Sequence, residues 1–88
     1  MKKRDAKKLT ALDKVKFFQN HELIEGVIAA KGTEVSFGEM NEAYPWSPLP
    51  SHLVFPILHS DPKDGETMTY VCHLSIFEKT GRLGEDAN

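Results

Sequence analysis

His52, His59, Cys72 and His73 are the side chains of this 88-residue sequence best suited to bind a metal or serve a nucleophile. Imidazole nitrogen and thiolate sulfur are common zinc ligands. Their spacing argues the other way, because no Cys-x-x-Cys or His-x-x-x-His pair is present. On a β-hairpin over residues 53–77, His52 and His73 share one sheet face as diagonal neighbours, and His59 and Cys72 share the opposite one. Two ligands make a poor site, so the pattern implies imidazoles packed on a sheet, with no metal ligand and no cofactor.

The same placement argues against Cys72 as a nucleophile. A catalytic cysteine needs a partly exposed, electropositive setting. Cys72 instead falls mid-strand among Tyr70, Leu74 and Phe55, and His59 lies four positions along the ladder, roughly 13 Å away. Of the carboxylates, Glu39 with Glu42 reads as a wet helix face, and Asp61, Asp64 and Glu66 as a turn. Neither a phosphate-binding glycine loop, nor His-Glu-x-x-His, nor Gly-x-Ser-x-Gly occurs. The chain is therefore expected not to be an enzyme, and a small metal-dependent or cysteine enzyme ranks third among its possible functions.

Charge is divided unevenly. Lys2, Lys3, Arg4, Lys7, Lys8, Lys14 and Lys16 fall in residues 1–20, whereas only Asp5 and Asp13 of the thirteen acids do. A basic head thus precedes an acidic body, with net charge −2. Lys7, Lys8, Lys14 and Lys16 could track phosphates. Helices followed by a C-terminal hairpin is the element order of a winged helix. The segment in the recognition-helix position, however, carries Glu39, Asn41 and Glu42, whose carboxylates phosphates would repel. A winged-helix-like nucleic-acid-binding regulator is the second reading.

The leading reading is a small non-catalytic protein-binding module, acting as an inhibitor, an adaptor or a self-associating subunit such as a homodimer. Tyr44 and Trp46 stand in Tyr44-Pro45-Trp46-Ser47-Pro48, a proline-stiffened segment that would lose little entropy on binding. The alternative is that Trp46 lids the core. Val54, Leu58 and Val71 are expected beside these aromatics, on a second sheet face too apolar to be simply wet.

The element that must position these residues is a hairpin from Leu53 to Phe77. Its arms, Leu53–His59 and Met68–Phe77, are rich in β-branched and aromatic residues. Pro62 and Gly65 supply the turn. Pairing Asp61 with Glu66 places Leu53, Phe55, Ile57, His59, Met68, Tyr70, Cys72, Leu74 and Ile76 on the core face. Pro56 lacks an N–H, which puts its strand at a sheet edge and the Met68 strand inside, with Val35–Phe37 as its neighbour.

Upstream, Leu9, Leu12, Val15 and Phe18 approximate helical spacing over residues 6–19, and Thr10 with Asp13 imitates a capping box. Residues 21–31 are read as a second helix on the stripe Leu23, Ile24, Val27 and Ile28. A hairpin over residues 24–37 is the rival. Residues 1–8 are expected to fray and residues 79–88 to form a loose polar tail. The sum is a single α+β domain: N-terminal helices packed on a small antiparallel sheet built around the C-terminal hairpin.

A lone cysteine permits no internal disulfide. No apolar run approaches the ~20 residues of a membrane span, and no signal-peptide hydrophobic segment succeeds the basic N-terminus. A cytoplasmic protein without membrane association, bound to a protein partner or to its own copy, is expected.

Gly65→Val should strain a left-handed turn position and destabilise the fold by about 1 kcal/mol or more. Thermal unfolding of the variant beside wild type checks this.

Overall fold

The computed structural model of this protein describes residues 1–36, 51–61, 63 and 65–84. A short helix, α1 (Lys3–Ala6), precedes β1 (Asp13–Gln19), β2 (Glu22–Ile28), β3 (Thr33–Ser36), β4 (Ser51–Asp61), β5 (Gly65–Cys72) and β6 (Ile76–Arg82). A 3-10 turn, His73–Ser75, joins β5 to β6. All pairings are antiparallel, with β6, β1, β2 and β4 side by side in that order. β5 runs along one edge of β4, and β3 and β2 share the other. This is a single curled, half-barrel sheet and not an α+β domain with helices packed on a sheet.

The first expected helix is β1. Asp13, Val15 and Phe17 are buried while Lys14 and Lys16 are only partly so, the alternation of a strand with one buried face. Asn20 and His21 both adopt positive φ, 51° and 66°, and link Gln19 to its partner Glu22. Two consecutive residues in this region form the tight turn whose twist suits a hairpin. The Thr10–Asp13 motif makes one of the two bonds of a capping box, the other being replaced by a backbone bond. The Thr10 N–H donates to Asp13 Oδ2 at 2.8 Å, and the Asp13 N–H to the Thr10 carbonyl at 3.2 Å. They close a turn into a strand, because Leu12 (φ 77°) takes the chain out of helical geometry.

The second expected helix is β2. Ile24 packs against the core and Gly26 and Ile28 are buried within it, while Leu23 and Glu25 face outward. The rival hairpin also fails, since β2 and β3 pair with β4 and not with each other. Gly26 lies where β2 is crowded by its neighbours β4 and β1. A Cβ there would meet Ile57 Cγ2 at 2.5 Å and the Leu58 carbonyl oxygen at 2.8 Å.

β4 is interior, contrary to the edge position inferred from Pro56. β3 pairs with β4 up to Val54, and β2 takes over at Ile57. The Pro56 carbonyl accepts the Ala29 N–H at 2.8 Å. In an antiparallel ladder a residue's N–H and C=O point to the same side, so the missing N–H falls where β4 passes from one neighbour to the next. β5, expected to be central, pairs only with β4 among the described residues.

The β4–β5 register differs by one residue from the expectation. Asp61 pairs with Gly65, Ser60 with Glu66, Leu58 with Met68 and Pro56 with Tyr70. Gly65 does occupy the left-handed region, at φ 75°. A one-residue slip sends every side chain of a strand to the opposite face. Leu53, Phe55, Ile57 and His59 are buried as expected, but Val71 joins them, and Met68 and Tyr70 point outward. Leu74, also expected in the core, is exposed in the 3-10 turn, while Ile76 is buried.

Met1 and residues 79–82 are tied into the fold. Residues 79–82, expected in a loose tail, belong to β6 and pair with β1. The Met1 ammonium donates to the Ile76 carbonyl at 2.6 Å, and Lys3 Nζ reaches Ser51 Oγ at 2.6 Å and Glu34 at 3.1 Å. Ala6 and Leu9 close the core beside Leu53 and Phe55. Asp13, itself buried, fastens β1 to β6 through Arg82 Nη1 at 3.0 Å and Lys79 Nζ at 3.4 Å.

Gly26→Ala should destabilise the fold by about 1–3 kcal/mol, the usual range for overpacking, read from denaturant unfolding at unchanged m-value. Burial alone would push the Asp13 carboxyl up, but the Thr10 N–H, the Arg82 guanidinium and the Lys79 ammonium hold it below the usual carboxylate range. Its folded value therefore lies under the unfolded ~3.9. The stability it contributes is fully present above the unfolded value and is lost as pH falls through the folded one. Asp13→Asn should melt below wild type at neutral pH, and the two melting curves should converge in acid.

Candidate functional site

Two features of the sheet bring together side chains with binding potential. The first is the outer face of β2, β4 and β5. Because Val27 pairs with Leu58 and Leu58 with Met68, these three form a row across the sheet. Pro56 and Tyr70 form the next row. Val54 continues the stripe along β4. Tyr70 is 72% exposed and Met68 48%, whereas Val27, Val54, Pro56 and Leu58 are half-buried. A second outer cluster lies on β1, β2 and β6. Phe18 pairs with Leu23 and meets Phe77 edge-on, with ring centroids 5.8 Å apart.

Of the residues expected to bind a partner, Val54 and Leu58 lie on the first face. Val71 does not: the register shift turns it inward, at 5% exposure, and brings Tyr70 and Met68 out in its place. Tyr44 and Trp46 lie outside the described residues, as do Glu39, Asn41 and Glu42. Sequence reasoning missed Met68 and Tyr70, although a three-residue loop closed by an Asp61–Gly65 pair would have exposed them.

The lysines offered to nucleic acid separate. Lys7 and Lys8 are exposed near α1, while Lys14 and Lys16 lie on β1 opposite Val27 and Glu25. With β1 and β2 in place of helices, the winged-helix element order is lost. Among the described residues no helix is long and apolar enough to cross a membrane.

The second feature is a group that sequence reasoning had divided. One ligand atom from each of His52, Cys72 and His73 lies within 4.8 Å of the other two. The register shift carries Cys72 to the face of β4 that holds His52 and Val54. His73 leaves the ladder in the 3-10 turn, and its buried ring reaches back to His52. His52 Nδ1 and His73 Nε2 are 3.3 Å apart, and the rings are tilted by 33°. His73 Nδ1 lies 2.8 Å from the Met1 carbonyl. His59 stands apart from this group. It is buried edge-on to Phe17, its Nε2 bonded to Thr69 Oγ1 at 2.8 Å, and Nδ1 finds no hydrogen-bond partner among the described residues.

A cleft of about 330 Å³ lies between α1 and β3–β4, floored by Leu9, Leu53 and Phe55 and flanked by Lys7 and Lys31. Its opposed charges, Lys31 and Glu34, favour no single ligand class. Set against family models, curated proteins and solved structures, the chain matches none.

Proposed function

We propose that this domain is a small non-catalytic protein-binding module whose partner is a second copy of the chain, engaged through β5. The observation that carries this reading is the exposure of Tyr70 and Met68 on a strand paired on one edge only among the described residues. An extended edge strand is a template for another strand, and alternate side chains then add contact area. A two-fold pairing centred on Thr69 would place each Met68 opposite the partner copy's Tyr70, a favourable sulfur–aromatic contact. It would also set Glu66 opposite Cys72, so no like charges would meet. Pro56, Leu58 and Val27 would extend the apolar surface beside that contact. A reducing cytoplasm suits the lone thiol at Cys72.

Wild-type chain should show dimer mass by sedimentation equilibrium. Tyr70 lies opposite Pro56, whose carbonyl bonds on the other side of β4, so the Tyr70 N–H faces the free edge. Tyr70→Pro, which removes that donor and blocks edge pairing, and Met68→Lys with Tyr70→Glu should each weaken association at least about tenfold, ~1.4 kcal/mol. Circular dichroism verifies that the variants fold. A wild type that stays monomeric at the highest attainable concentration, or a dimer indifferent to all three changes, overturns the reading.

A further inference from the structure

We infer that His52, Cys72 and His73 form a binding site for a divalent ion of the zinc class. The nitrogen geometry carries most of the argument. In a tetrahedral zinc site with bonds of about 2.0–2.1 Å, two imidazole nitrogens stand about 3.3–3.4 Å apart. His52 Nδ1 and His73 Nε2 are separated by 3.3 Å. A zinc-bound sulfur would lie about 3.6 Å from each nitrogen. The group spans at most 4.8 Å, and rotation of the half-buried Cys72 side chain, by about 1 Å at the sulfur, closes the difference.

The contact of His73 with the Met1 carbonyl is a second, independent observation. A carbonyl oxygen only accepts, so the 2.8 Å contact with Met1 places the His73 ring proton on Nδ1. Nε2 then directs its lone pair toward His52. Metal-bound histidines are commonly oriented in this way, by an outer partner on the other nitrogen. Without an ion, the His52 Nδ1 proton bridges the two nitrogens. On coordination that proton moves to the other ring nitrogen, and the Cys72 thiol proton is released to solvent.

Ligand chemistry selects the ion. Two imidazoles and a thiolate favour zinc or cobalt over magnesium or calcium, which prefer oxygen. Three protein ligands leave one tetrahedral position for water. The ion would join the start of β4, the end of β5 and the 3-10 turn, with Met1 behind His73. It would thereby tie together the corner where the sheet bends from β5 into β6.

The test is calorimetric titration of the untagged full chain with zinc, together with cobalt titration followed by absorbance. Wild type should bind one equivalent and melt at a higher temperature when loaded. The cobalt form should show a thiolate-to-metal charge-transfer band and intense visible bands of tetrahedral cobalt. His52→Ala and Cys72→Ser, both at half-buried positions, should stay folded and weaken binding by about 100-fold or more, at or beyond the loss of an outer-shell partner. Folded wild type without saturable one-to-one binding, variants that bind as wild type does, or a cobalt spectrum lacking the thiolate band would each overturn the site.

Discussion

β4 is an eleven-residue strand paired along both edges, and the positions of β2, β3 and β5 are all defined against it. Its inner side chains, Leu53, Phe55 and Ile57, are buried against Ile28, Val71 and the N-terminal Ala6 and Leu9. One strand can serve three neighbours because the pairing on one edge is interrupted. Pro56 falls at that interruption, where β3 has ended and β2 has barely begun. The curl of the sheet is a consequence: β2 touches β4 through only two residue pairs before it turns away to run beside β1.

From β4 the register passes to β5 through a short loop, and one residue in that loop decides which side chains the protein buries. With Gly65 rather than Glu66 opposite Asp61, the core receives Val71 and the solvent receives Met68 and Tyr70. The same slip takes Cys72 out of the core face and sets it near His52. The proposed association surface and the proposed metal site therefore share one geometric origin.

β1 and β6 complete the curl, and electrostatics closes it. Asp13 is the one buried acid among the described residues, and a buried carboxylate is tolerable only when its oxygens are satisfied. Thr10, Arg82 and Lys79 do this from both sides of the seam. The basic head is accordingly not a free cationic arm along its whole length. Lys3 is engaged by Ser51 and Glu34, and the Met1 ammonium by Ile76.

Local information in the sequence determined some of this directly. The β4–β5 hairpin, the inward face of β4 and the left-handed Gly65 arise from β-branched runs, period-two burial and turn chemistry that act within a few residues. The Thr10–Asp13 hydrogen bond was legible too. The strand that it introduces was not, since the same local bonds suit a helix start or a turn. Only the tertiary structure decided between helix and strand for residues 13–28. The apolar residues there satisfy both periods approximately, and the pairing of β1 with β6, more than fifty residues away in the chain, outweighs local preference. The interior place of Pro56 depended on two strands ending beside it, which no local pattern encodes. The grouping of His52, Cys72 and His73 likewise required a register settled by one loop residue and a 3-10 turn that takes His73 out of strand alternation.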